Sequence, residues 1–113
     1  MRVLIVEDEY LIAADAAFTL EKAGCEIVGI VGTIVQTLKF LADRVCDAVI
    51  LDANLCGEST ESVALALRQR GIPFLVVSGY AKDQCRGALG DAPFLAKPCG
   101  SDQLVGAVMA LRA

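Results

Sequence analysis

Ala48-Val49-Ile50-Leu51-Asp52 decides how the rest of the chain is read. Four apolar residues follow one another without alternation and then meet a carboxylate. A strand with one face in water would alternate, so a continuous run is the pattern of a strand covered on both faces, as in a parallel sheet flanked by helices. Similar runs lie on either side: Arg2 to Val6, Glu26 to Val31, Phe74 to Val77 and Phe94 to Ala96. Stretches of helical period alternate with them. The first runs from about Glu9 to Ala23, with Leu11, Ala14 and Phe18 on one stripe and Gly24 as its stop. The second follows Thr33 as N-cap and places Ile34, Leu38, Leu41 and Val45 on a face that belongs in the core. The third spans Glu61 to Arg70 and stops at Gly71, and a short fourth is expected around Lys82 to Ala88. Ser101 caps the last, with Leu104, Val108 and Leu111 on one face. The pattern is (βα)5, an α/β fold with a doubly wound, five-stranded parallel sheet, and its 113 residues make one domain over 1–113.

Hydrophobic residues make up 56% of the chain before Gly is counted, above the roughly 45 to 50% that ordinary globular proteins reach with Gly included. Disorder is excluded, and a chain of this length buries enough surface to fold without staples. No apolar run approaches the ~18 residues of a membrane span, and the first strand meets Glu7 and Asp8 too early for a signal peptide. A cytoplasmic protein that makes no membrane contact is expected. Cys25, Cys46, Cys56, Cys85 and Cys99 are odd in number and lack C-x-x-C spacing, so free thiols are expected rather than disulfides or zinc. Ten Lys and Arg against fourteen Asp and Glu leave a net charge of -4 and no basic stripe for nucleic acid. The chain contains no His, so any imidazole chemistry must come from a partner.

In open parallel sheets, ligands bind beyond the carboxyl ends of the strands. The residues there are Glu7 and Asp8 after the first strand, Asp52 and Asn54 after the third, Ser78 after the fourth and Lys97 after the fifth. Three carboxylates on one rim repel each other unless a cation lies among them, and hard oxygen donors suit Mg2+. Lys97 and Ser78, together with such a metal, would hold the oxygens of a phosphoryl group on Asp52, whose carboxylate is a competent nucleophile.

Val6-Glu7-Asp8-Glu9, Leu51-Asp52-Ala53-Asn54-Leu55, Val77-Ser78-Gly79 and Ala96-Lys97-Pro98 together resemble the response regulator receiver domain of two-component signalling. The resemblance runs the length of the chain and implies the flavodoxin-like, CheY-like fold. It implies Asp52 as phosphoacceptor, Asp8 as direct Mg2+ ligand, Glu7 as an acid reaching the metal through water, and Asn54 as donor of its backbone carbonyl. Ser78 resembles the hydroxyl that moves toward the phosphoryl group, Lys97 the lysine that pairs with it, and Phe94 the aromatic residue that swings inward. Pro98 resembles the family's cis proline. The implied partner is a histidine kinase or histidine phosphotransfer protein, with a possible downstream protein target. The chain itself is expected to be a monomer or weak dimer, and to be no enzyme beyond its own phosphorylation and dephosphorylation.

Two features depart from the family pattern. Cys56 stands where most receivers carry proline, and Tyr80, a candidate switch residue, follows Ser78-Gly79 ahead of a shortened fourth helix. Ser78-Gly79-Tyr80, together with Asp52-Ala53-Asn54-Leu55-Cys56-Gly57-Glu58, resembles a branch of stand-alone receivers from alphaproteobacteria; a receiver cut from a longer protein is the alternative. Among other functions, a phosphorylation-independent pseudo-receiver scaffold stays open. A small Mg2+-dependent aspartyl phosphatase of haloacid-dehalogenase type places its nucleophile after the first strand as Asp-x-Asp, where this chain has Glu7-Asp8-Glu9. A flavodoxin-like FMN carrier needs a phosphate cradle where Glu7 and Asp8 would repel the ligand.

Overall fold

The structure, a computed structural model, describes residues 1–79 and 87–111. In chain order the elements are β1 (Arg2–Val6), α1 (Tyr10–Lys22), β2 (Glu26–Val31), α2 (Ile34–Asp43), β3 (Ala48–Asp52), β4 (Asn54–Leu55), β5 (Glu58–Ser59), α3 (Glu61–Gln69), β6 (Phe74–Ser78), a 3-10 turn at Gly87–Leu89, β7 (Phe94–Ala96) and α4 (Ser101–Ala110). The five long strands form one parallel sheet in the order β2-β1-β3-β6-β7, while β4 and β5 pair as a separate antiparallel hairpin. Among the described residues no helix is long and apolar enough to cross a membrane.

Every residue of β3 and β6 is buried, because both strands lie inside the sheet with helices on each face. Alternation along the strands sorts the core into two halves. Val3, Ile5, Ile50, Leu75 and Val77 pack against Ala13, Ala17 and Leu20 of α1 and Leu104 and Val108 of α4. Leu4, Val6, Val49, Leu51 and Val76 pack against Leu41 of α2 and Val63, Ala64 and Leu67 of α3. Each fully buried Val, Leu or Ile contributes roughly 1.5–3 kcal/mol.

All five parallel strands fall where the sequence places them, but two helices turn a different face inward. On α1 the buried residues are Ala13, Ala17 and Leu20, whereas Leu11 is 83% and Phe18 61% exposed. At about 100° per residue, the Leu11–Ala14–Phe18 stripe lies about a third of a turn away from the buried one, and the small alanines let the helix approach the sheet. On α2 the Thr33 hydroxyl does accept the Gln36 N–H, at 3.0 Å. The helix ends at Asp43, however, and Arg44 is extended. Val45 therefore leaves the stripe and is 65% exposed, and Leu38 is exposed as well; Thr37 and Leu41 fill the interface, with Cys46 buried just beyond. At α4, Gly100 rather than Ser101 is the N-cap, and its N–H donates to Gln103 Oε1 at 2.9 Å. The 3-10 turn at Gly87–Leu89 overlaps the end of the helix expected at Lys82 to Ala88, most of which lies outside the described residues.

Gly87 has φ +58, a left-handed conformation, and a Cβ there would run into the carboxylate of Glu61 at the start of α3. Gly87→Ala should therefore cost at least about 1 kcal/mol. A urea midpoint equal to the parent's would contradict this.

Candidate functional site

The strand ends deliver four charged side chains to one rim. Beyond β1 the Glu7 N–H still donates to Val31 O at 2.9 Å, so Glu7 leaves the sheet in register and is 7% exposed. Asp52, the last residue of β3, pairs in register with Val77 and is 8% exposed. Beyond β7 the Lys97 N–H donates to Ser78 O at 2.8 Å, which turns the lysine toward the middle of the rim. There its Nζ donates to Glu7 Oε1 at 2.6 Å and to Asp52 Oδ2 at 2.9 Å.

The other carboxylate oxygens are held by backbone. Asn54 N–H donates to Asp52 Oδ1 at 3.1 Å, Glu9 N–H to Glu7 Oε2 at 3.2 Å, and Cys56 N–H to Asp8 Oδ2 at 3.0 Å. Burial raises the Glu7 carboxyl above its ordinary pKa, against the hydrogen bonds from Lys97 and Glu9 that lower it. Asp8 is exposed, and the Cys56 N–H holds its carboxyl below the usual value. Burial also pulls the Lys97 ammonium down, but its hydrogen bonds to Glu7 and Asp52 and their charges outweigh that and leave it above its ordinary 10.5. Lys97 is thus a fixed positive charge at neutral pH.

Glu7, Asp8 and Asp52 each bring a carboxylate oxygen within 4.8 Å of the other two. An all-oxygen set with one exposed member fits Mg2+, which keeps several of its waters.

Of the remaining residues expected at the site, Asn54 is half-buried on β4 beside Asp52, and Ser78 is 1% exposed at the end of β6. Phe94 is half-buried on β7 and packs on the α2–α3 side of the core. Tyr80 lies outside the described residues. The Lys97–Pro98 peptide is cis, as the resemblance implies.

The altered loop after Asp52 has a physical explanation. Asn54 pairs with Ser59 and Leu55 with Glu58, which leaves a two-residue turn at Cys56 and Gly57 with φ +52 and +84. Positive φ at both central residues is the pattern of a type I′ hairpin turn, and proline, locked near -65°, has no access to it. Two residues ending in Gly between short extended segments were the available signal for this hairpin. The sequence reading also passed over Thr60, whose hydroxyl donates to the main-chain carbonyl of Asp52 at 2.6 Å. No motif marks it, because the partner is backbone.

Three carboxylates, two of them bonded to one lysine, thus meet at the carboxyl ends of a parallel sheet. The response regulator receiver domain family matches residues 3–109, and the chain belongs to it. Among solved structures it is similar to SdrG from Sphingomonas melonis Fr1, at 39% identity and a TM-score of 0.86, covering 100% of this chain and 97% of that one. It is also similar to the response regulator PhyR from Brucella abortus, at 28% identity and a TM-score of 0.81, covering 97% of this chain and 46% of that one. The receiver domain of NarL from Mycobacterium tuberculosis, at 22% identity and a TM-score of 0.86 over 99% of this chain and 96% of that one, shares the fold. No curated protein sequence matches.

The raised pKa of Lys97 sets a sign for its pH dependence. Its contribution to stability is full below 10.5 and is lost as pH climbs through the higher folded value. In 13C NMR the Lys97 Cε resonance should titrate above 10.5 in the parent and lower in Glu7→Gln, where burial keeps its effect and one partner is gone. Equal midpoints would show that Glu7 does not hold the lysine's charge.

Proposed function

We propose that this receiver takes a phosphoryl group onto Asp52 from a phosphohistidine of a histidine kinase or histidine phosphotransfer protein, and that the modification switches its protein contacts. The observation that supports this most is the Lys97 bridge, which holds Asp52 Oδ2 and Glu7 Oε1 on one ammonium beside Asp8.

A carboxylate oxygen of Asp52 attacks phosphorus, the O–P bond forms, and the N–P bond breaks with its electron pair returning to the donor imidazole. A carboxylate nucleophile has no proton to lose, so a chain without His needs no base of its own. Glu7, Asp8, Asp52 and the Asn54 carbonyl would hold Mg2+, which when bound supplies charge neutralisation for the transferring oxygens. Lys97 supplies a second positive charge, and the Ser78 hydroxyl reports the new group by repacking around Phe94. The chain catalyses only its own phosphorylation and dephosphorylation.

An apolar groove of about 460 Å³ opens beside Asp52 between α1 and the start of α4, lined in part by Leu11, Ile12, Ala16, Pro98 and Leu104. We assign it to the phosphodonor protein, because Leu11 and Ile12 are exposed there without a packing role in the core.

Intact mass after incubation with acetyl phosphate and Mg2+ tests the chemistry. One phosphoryl group should appear on the parent and be absent from Asp52→Asn and from a chelated sample. Labelling of Asp52→Asn to the same extent would remove Asp52 from its role. No added mass, together with no spectral response of Ser78 or Phe94 to beryllofluoride, would favour a phosphorylation-independent scaffold. In the groove, Leu11→Ala should slow transfer from a phosphorylated histidine phosphotransfer protein severalfold more than loading from acetyl phosphate. Equal slowing of both would detach the groove from the donor.

A further inference from the structure

Thr60 sits at the head of α3 and is 0% exposed, although an exposed hairpin precedes it directly. Its carbonyl accepts the N–H groups of Val63 and Ala64, so it occupies the N-cap position. A threonine there ordinarily turns its hydroxyl forward onto the first free N–H groups of the helix. Thr60 makes no such bond. The hydroxyl points back instead and donates to the carbonyl of Asp52 at 2.6 Å, while the Thr60 N–H donates to the next carbonyl, that of Ala53, at 3.1 Å. Two successive carbonyls at the end of β3 are therefore tied to one residue, and the helix start forgoes the Thr60 hydroxyl, its Glu61 N–H donating to Ser59 Oγ at 3.3 Å instead.

We propose that Thr60 is a positioning residue for phosphoryl transfer to Asp52, a proposal that rests on Asp52 being the phosphoacceptor. The Asp52 side chain is oriented from outside by Lys97 on Oδ2 and the Asn54 N–H on Oδ1. Neither of these fixes the Asp52–Ala53 peptide from which the side chain projects. The neighbouring strand holds its N–H, which donates to Val77 O at 3.2 Å, and Thr60 holds its carbonyl from the buried side; the chain leads from there within two residues to the Asn54 N–H. Rotation of that peptide moves the nucleophilic oxygen and one of its hydrogen-bond donors together. In-line transfer needs the attacking oxygen within about 3–3.5 Å of phosphorus along the breaking bond, a geometry that small displacements degrade steeply. Thr60 touches neither the donor nor the transferring group, so its effect belongs in the maximal rate and not in the affinity for a small phosphodonor.

The test is the rate of phosphoryl loading from acetyl phosphate with Mg2+, followed by intact mass across a range of acetyl phosphate concentrations. Parent, Thr60→Ser and Thr60→Val chains are compared, each shown to be folded by its urea midpoint. Valine keeps the shape and removes the hydroxyl, and its maximal rate should fall about tenfold with the half-saturating concentration unchanged. Serine keeps the hydroxyl and should load within about twofold of the parent. A valine chain as fast as the parent overturns the proposal, as does a serine chain as slow as the valine one. Should the valine chain not fold, Thr60→Ser and Thr60→Ala, which differ only by the hydroxyl, take its place with the same expected gap. A parent that takes no phosphoryl group and gives no spectral response to beryllofluoride overturns the assignment of Asp52 itself, an outcome distinct from failure of the Thr60 tie.

Discussion

One ammonium group between two buried carboxylates is the constraint on which the functional end of this fold depends. Glu7 and Asp52 leave neighbouring strands of the sheet with only 7% and 8% of their surface exposed, and like charges in such a place repel and lose hydration. Lys97, arriving from the far side of the sheet, resolves both costs through bonds of 2.6 and 2.9 Å. The arrangement requires β1, β3 and β7 to point the same way, because only then do their carboxyl ends meet on one rim. A parallel sheet supplies that geometry, and a parallel sheet in turn requires helices on both faces.

Around this charged centre the chain secures its acidic groups with main-chain donors. Asn54, Glu9 and Cys56 each give an N–H to one of the three carboxylates. The hairpin turn at Cys56 and Gly57 takes a backbone conformation costly for a residue with a Cβ, and in that conformation it reaches Asp8. Thr60 diverts its hydroxyl from a helix cap to the backbone of Asp52. In both places the chain departs from an ordinary local preference next to the acidic rim.

The surface around this centre divides by polarity. The rim is polar and anchored to strands, whereas the groove beside it is apolar and borders α1, whose Leu11 and Phe18 face away from the core. Similarity to SdrG over the whole chain and to PhyR over part of that protein places the rim within a shared receiver framework.

How much was legible follows from where each piece of information lies. Ala48 to Asp52 reads as a buried strand on its own terms, since β-branched and apolar runs record burial on both faces within five residues. Glu7, Asp8, Asp52, Ser78 and Lys97 could be picked out because each immediately follows such a run. The inward faces of α1 and α2 could not be picked out the same way. Their apolar residues are spread around the helix, and it is the close approach to the sheet that selects Ala13 and Ala17 over Leu11 and Phe18. The hairpin at Cys56 and the Thr60 tie were equally hidden, because they depend on backbone carbonyls and N–H groups that every residue carries. The sequence by itself determined the order of the strands along the chain, the charges at their ends and the family they mark, because these are written in local pattern. Only the tertiary structure decided which helix faces are buried, how Lys97 divides itself between Glu7 and Asp52, and where Thr60 spends its hydroxyl, because those depend on distances between segments remote in the chain.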